Sequence, residues 1–418
     1  MLGSGLNIAM VAACPFPTSQ GSQVLIRELS EALVRRGHRL HLVAYHFGED
    51  LPCDGLVIHR IPQLFRYSHF RSGPEIRKPI LDLLLMRKLD QVVRQENIHI
   101  LHAHNYEAPV AALPVRWRRR IPLVYHSHNT MSDEFYTYFR LKIPQVLAQA
   151  AAHLMDRFIP CRADFIIAIN PRVANFLIEM GIPAAKIKYI PPGVDFGPPI
   201  PFPDPAIRAQ FALGGGPLLL YVGNLDGYQR IDLLLDALPE VFGVYPGAIL
   251  VLMTGSNCAS LMREVQRRHL ESGVRIIQSP SFQQVKKVLA HGSVAVNSRI
   301  SWSGFPIKLL NYMAAGLPVV AFKGAAAPVV DGITGYLVPP SDTRAYARAI
   351  IALLNNPLKA QQMGEEAQRI VERHYSWDTI AADIERIYCR LLGLPLVLGR
   401  ESVLSSRPAE LSKSEVSA

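Results

Sequence analysis

The chain has 418 residues, 49% hydrophobic and 19% charged, a globular balance that excludes a largely disordered protein and a length too great for one ordinary core. Its formal charge of +10 points to anionic partners, yet no helix-turn-helix, zinc-finger or RNA-binding pattern accompanies it, so nucleic acid is not expected. The five cysteines, Cys14, Cys53, Cys161, Cys258 and Cys389, form no close pairs, which argues against a thiolate metal cluster or redox motif and reads as reduced thiols in a cytosolic protein.

Residues 7–13 form an apolar run of strand length. Nothing basic precedes it and the turn residues Pro15 and Pro17 follow, so Val11-Ala12-Ala13-Cys14 is not expected to be a signal-peptide box. No run reaches the roughly 18 apolar residues of a membrane span. Further strands are expected over 39–44, 100–103, 123–127, 165–169 and 187–190, with helices over 23–36, 80–95 and 173–180 between them. Pro191 to Pro205 then carries too many fixed φ angles and missing donors for a helix or central strand, and is expected to link two domains. A second series of strands, over 218–222, 249–253, 274–277, 294–297 and 319–321, precedes a final amphipathic helix over 377–392. The expected boundaries are 1–196, a linker over 197–210, a second domain over 211–376, a helix within 377–395 and a disordered tail over 396–418. Alternating strands and helices of this kind build parallel sheets with crossover helices. Basic residues gather at 116–120 and between Phe65 and Lys78, which reads either as solvated surface or as a face for anionic lipid.

In such sheets ligands bind beyond the carboxyl ends of the strands. The loop from Pro15 to Ser22, with Gly21, suits an anion at a helix N-terminus, although an ordinary tight turn explains it equally. His102 and His104 end one strand, and His126 and His128 end the next. They read as structural imidazoles or as site residues, and without cysteines or paired carboxylates they make a weak zinc set. Gly223-Asn224-Leu225-Asp226-Gly227-Tyr228-Gln229-Arg230 follows the first strand of the second series. Ser303-Gly304-Phe305-Pro306-Ile307-Lys308-Leu309-Leu310-Asn311 turns from a later strand into a helix, where Lys308 in the first turn suits a diphosphate and Asn311 a ribose hydroxyl.

Together with Arg36-Gly37-His38, Ile190-Pro191-Pro192-Gly193-Val194-Asp195 and Met313-Ala314-Ala315-Gly316-Leu317-Pro318-Val319-Val320, these loops resemble the retaining GT-B glycosyltransferases, group 1 and family 4-like, over nearly the whole chain. The resemblance implies two Rossmann-like α/β domains with parallel sheets facing a cleft, and a last helix that returns to the first domain. It implies retaining, metal-independent hexosyl transfer from a UDP- or GDP-linked sugar to a glycan or lipid-linked acceptor of the cell envelope. No cofactor is implied, and the setting is cytoplasmic, with peripheral contact to the inner face of the membrane. His128 is implied to contact the donor sugar. Gly21, Gly223, Asn224, Gln229, Arg230, Ser303, Gly304, Phe305, Pro306, Ile307, Lys308, Leu309 and Asn311 are implied on the donor side, and His104, Asn105 and Asn129 on the acceptor side. Departures stand at Asn224, where the family usually has Arg, near Gln229 and Arg230, where it has Lys, and at Ser303 and Asn311, where it has Glu. These departures leave open the alternative of a degenerate nucleotide-sugar-binding protein on the same fold, with Arg230 and Lys308 as the remaining candidate charges.

Overall fold

The computed structural model describes residues 5–18, 21–49, 53–64, 77–134, 142–194 and 204–300, together with 304–395. Ser303 and the tail over 396–418 lie outside the described residues, as do most of the basic segment from Phe65 and the centre of the proline-rich stretch. Two compact units are present: unit 1 comprises Met1–Gly193 and Ser376–Ala418, and unit 2 comprises Val194–Tyr375.

Unit 1 runs β1 (Asn7–Ala12), α1 (Gly21–Arg35), β2 (Arg39–Ala44), β3 (Leu56–Arg60), α2 (Lys78–Gln95), β4 (Ile100–His104) and α3 (Glu107–Arg119). It continues through β5 (Leu123–Ser127), α4 (Met131–Glu134), α5 (Lys142–Arg162), β6 (Phe165–Ala168), α6 (Pro171–Glu179) and β7 (Ile187–Tyr189). The seven strands lie in the order β3-β2-β1-β4-β5-β6-β7 and every pairing is parallel. The inner strands are buried on both faces, which is why they read as continuous apolar runs.

Unit 2 runs α7 (Pro205–Gln210), β8 (Leu218–Val222), α8 (Ile231–Val244), β9 (Ile249–Thr254), α9 (Ala259–Arg267), β10 (Val274–Gln278), α10 (Phe282–Leu289) and β11 (Val294–Asn297). Then come α11 (Ile307–Ala314), β12 (Val319–Phe322), β13 (Gly335–Val338), α12 (Thr343–Asn355) and α13 (Pro357–His374). Its parallel sheet has the order β10-β9-β8-β11-β12-β13. Both orders are Rossmann-like, reversing direction between β1 and β4 in one sheet and between β8 and β11 in the other.

The last helix, α14 (Trp377–Leu392), belongs to unit 1 and packs along α1. Ser376 caps it, Gly393 ends it in the left-handed region, and Trp377 donates from Nε1 to Glu28 at 2.9 Å. A Cβ at Gly193 would come within 2.5 Å of the Trp377 indole, so only glycine fits there.

Several local readings change, and β13 (Gly335–Val338) adds a sixth strand that the expected second series lacks. The proline-rich stretch was expected to be irregular through 210, yet α7 forms inside it, because Pro205 takes the first helical position, where no N–H is needed, and Asp204 caps the turn through the Ala206 amide at 2.9 Å. Helix α3, which carries Pro109 and Pro114, is not among the helices named from the sequence. Strand β3 escaped notice because it is a short edge strand with no clean alternation of burial.

Candidate functional site

In unit 2 the order reversal puts the carboxyl ends of β8 and β11 side by side. Beyond β8 the chain turns at Gly223 with φ +144°, then through Asn224 and a short 3-10 turn over Gly227–Gln229 into α8. Beyond β11 come Ser298 and Arg299, and after Gly304 (φ +72°) and the buried Phe305 and Pro306, helix α11 begins. Tyr312 ties the two halves of this site together: its hydroxyl accepts from the Val222 amide at 2.6 Å, at the very end of β8.

Lys308, in the first turn of α11, donates from Nζ to Gln229 Oε1 at 2.7 Å and to the Tyr221 hydroxyl at 3.0 Å, and stands 4.2 Å from the Tyr221 ring centroid. Gln229 is fixed in turn, because its Nε2 donates to Asn224 Oδ1 at 2.9 Å and Asn224 Nδ2 donates to the Tyr228 hydroxyl at 2.8 Å. Burial, and then the nearby positive charge of Arg299, lower the Lys308 ammonium to about 7. Arg299 itself is buried, with its guanidinium 5.2 Å from the Tyr228 ring centroid. Two cations crowded at a strand-end crevice, beside the first turn of a helix, suit a compact polyanion. A diphosphate would relieve their mutual repulsion and restore the full charge of Lys308.

Not every expected donor-side residue takes part in this arrangement. Arg230, expected to supply charge, instead adopts the left-handed region (φ +52°) and clasps Asp232 at 2.8 and 3.0 Å. Leu309 has nothing to offer a ligand: its side chain is fully buried in the core and its amide is spent on the Pro306 carbonyl at 2.9 Å. The Ile307 amide is likewise engaged, by the Phe305 carbonyl at 2.9 Å. Asn311 follows Lys308 by one turn, half-buried. Arg299 was missed in the sequence, where only its position two residues beyond a strand marked it.

In unit 1 four imidazoles gather where β4 and β5 end. His102 and His104 project from β4, and His104 is in register with His126 of β5. His102 Nε2 stands 3.2 Å from His126 Nδ1, and His104 Nδ1 stands 3.1 Å from His128 Nε2. The cluster is closed by two residues that the sequence did not flag. The Tyr388 hydroxyl of α14 lies 2.5 Å from His102 Nδ1, and Met10 Sδ lies 3.5 Å from His104 Nε2. Burial drives all four rings far toward the neutral form, with His102 and His128 lowered to about 3. His128 is therefore a neutral hydrogen-bonding group, not a standing cation.

Next to it, Asn129 Oδ1 and Thr130 Oγ1 are buried and have no hydrogen-bond partner among the described residues, which is where a ligand hydroxyl would be expected. The following turn is held by Asp156, which accepts from the Met131 and Ser132 amides at 2.9 and 2.8 Å. Asn105 sits at φ +60° with its amide on the His126 carbonyl at 3.2 Å. Gly21 begins α1, where an added Cβ would meet nothing, so the protein itself does not demand glycine there. Part of the basic cluster is internally matched: Arg116 forms a bidentate pair with Asp164 at 2.7 and 2.5 Å, and Arg119 one with Asp90 at 2.7 and 3.0 Å.

A family profile described as Glycosyltransferase Family 4 matches residues 19–197, and one described as Glycosyl transferases group 1 matches residues 216–356. N-acetyl-alpha-D-glucosaminyl L-malate synthase of Bacillus anthracis is 23% identical over 388 residues, covering 90% of this chain and 96% of that protein. Sucrose-phosphate synthase from Thermosynechococcus elongatus is similar in structure with a TM-score of 0.77 at 20% identity, over 93% of this chain and 99% of the other. HepE from Anabaena, solved with UDP and glucose, gives a TM-score of 0.72 at 18% identity over 93% of this chain and all of the other. With one profile on each sheet-bearing unit and GT-B folds as structural neighbours, the chain belongs to the group 1 glycosyltransferases of the GT-B type.

Proposed function

We propose that the protein transfers a hexosyl group, with retention and without a metal ion, from a UDP- or GDP-linked sugar to a glycan or lipid-linked acceptor. The observation that carries this reading is the pairing of Lys308 with Arg299 at the β8/β11 switch point. Arg299, and Lys308 as it regains its charge against the ligand, take the electrostatic role that a metal otherwise fills on a leaving diphosphate. HepE, a structural neighbour, was solved with UDP and glucose, which favours the same class of donor here. In this reading the departing phosphate accepts the acceptor's proton on the same face, and the neutral His128 orients the sugar by hydrogen bonding.

A lipid-linked acceptor is favoured by the solvent-facing side of α5. Val146, Leu147 and Leu154 are each about two-thirds exposed there, with Arg157 and Arg162 further along the helix. No helix among the described residues is long and apolar enough to cross a membrane. Co-sedimentation with anionic vesicles that weakens with salt supports surface binding, and absent or salt-independent binding removes it.

The deciding experiment is a thermal-shift screen against UDP-, GDP- and ADP-sugars with and without EDTA. Stabilisation by one nucleotide class that survives EDTA is the expected result. Stabilisation that EDTA abolishes would overturn the metal-free reading, and no stabilisation by any of them would overturn the donor assignment.

A further inference from the structure

A second group of histidines lies on the outer edge of the unit 1 sheet, away from the β1/β4 switch point. His41 comes from β2, His59 from the edge strand β3, and Glu96 from the residue that follows α2. One donor atom from each lies within 4.8 Å of the other two. His41 Nδ1 and His59 Nε2 are 3.1 Å apart, and the rings stack with centroids 5.4 Å apart and planes 21° from parallel.

Two nitrogens on a tetrahedral ion with bonds of about 2.0–2.1 Å stand roughly 3.3 Å from each other, so the imidazole spacing is close to that of a shared ion. A hydrogen bond between the rings accounts for the distance equally well, but it leaves Glu96 without a purpose. Among the described residues no ion pair or hydrogen bond occupies the Glu96 carboxylate, and its charge acts on both rings.

Charge balance and access separate this group from the four-histidine cluster. The charged groups that act on the His104 and His126 rings are other imidazoles, so a dication there would sit enclosed and uncompensated. Here Glu96 offsets one of two charges, although Arg39 and Lys88 oppose it. His59 and Glu96 are only half-buried, so an ion can enter and water can complete its coordination.

We infer that His41, His59 and Glu96 bind one divalent ion of the zinc class, which clamps the edge strand β3 to the C-terminal end of α2. Mixed imidazole and carboxylate donors suit such an ion better than magnesium or calcium, which take oxygen ligands. An edge strand held in this way is also protected from pairing with another chain.

The test uses the metal-free full-length protein, titrated with ZnCl2 by calorimetry and with CoCl2 by visible absorption, alongside thermal melts. The wild type should take up one equivalent with a rise in Tm. H59Q and E96Q should each weaken uptake at least tenfold and abolish the rise, while H126Q keeps both. Glu96 lies outside the strands, so E96Q remains informative if H59Q fails to fold. No uptake by the wild type would overturn the site and leave an imidazole hydrogen bond alone. Uptake unchanged in both H59Q and E96Q, or lost only in H126Q, would also overturn it by placing the ion elsewhere.

Discussion

A Cβ placed on Gly223 would stand 3.1 Å from the ammonium nitrogen of Lys308 and 3.3 Å from its Cε. Glycine is required twice at this point, for the close approach and for φ +144°. Gly223→Ala should push Lys308 from its place against Gln229 and lower donor affinity about tenfold, on the order of 1–3 kcal/mol of strain and lost contact. Calorimetric titration with the nucleotide sugar found in the screen checks this; unchanged affinity would remove Lys308 from the donor site.

The Lys308 ammonium titrates at about 7 in the folded chain, against an ordinary value of 10.5. Between those values the unfolded chain holds more protons, so this group's contribution to stability rises with pH across that window and is least below it. A bound diphosphate pulls the proton back. Donor binding at about pH 8.5 should therefore take up nearly one proton, read from the dependence of binding heat on buffer ionisation enthalpy. Lys308→Met should abolish that uptake.

Arg299 is buried near Lys308, whereas Arg230 is held by Asp232 nearer the surface. Arg299→Gln should cost the donor a charge-assisted contact, roughly 1.5–3 kcal/mol. Arg230→Gln should change donor affinity little, because Asp232 already holds that guanidinium. Equal losses in the two variants would contradict the assignment.

The four imidazoles of unit 1 predict a sensitivity to acid. With His102 and His128 at about 3 in the folded chain and 6.5 as the reference, the unfolded chain takes up protons that the folded chain refuses. Stability should thus be intact above pH 6.5 and fall as pH drops from there toward 3. Urea melts at a series of pH values test this, and His128→Gln should flatten the slope. A slope no steeper than that of the variant would mean that the rings protonate in place.

Removing the hydroxyl that reaches His102 should be felt in unit 1. Tyr388→Phe leaves a buried ring nitrogen without its partner, a loss of about 1–3 kcal/mol. The melt of unit 1 should shift downward while nucleotide-sugar binding at the proposed unit 2 site is retained.

Strands were legible wherever burial on both faces writes an unbroken apolar run, as in β1 or β9, and the strand-end loops followed from them. Gly223 and Lys308 stood out because small and charged residues there contrast with the strand before. Arg299 shares that contrast, but its value comes from the neighbouring Tyr228 and Lys308, which the fold alone brings to it. Arg230 misled for the converse reason: Asp232, two residues on, takes its charge only once the backbone enters the left-handed region. The contact between Tyr388 and His102 spans 286 residues and follows no periodic pattern. Prolines misled at α7, because the cost of Pro205 depends on whether its position needs an N–H at all.

Because α14 supplies Tyr388 to the histidine cluster and Trp377 to Glu28, unit 1 is assembled from both ends of the chain. A ribosome delivers residues in order, so the whole of unit 2 is synthesised while unit 1 still lacks its last helix. The domain that begins first is thereby completed last. Nascent chains halted before Trp377 should hold a finished unit 2 and a unit 1 that is still open to chaperones and proteases.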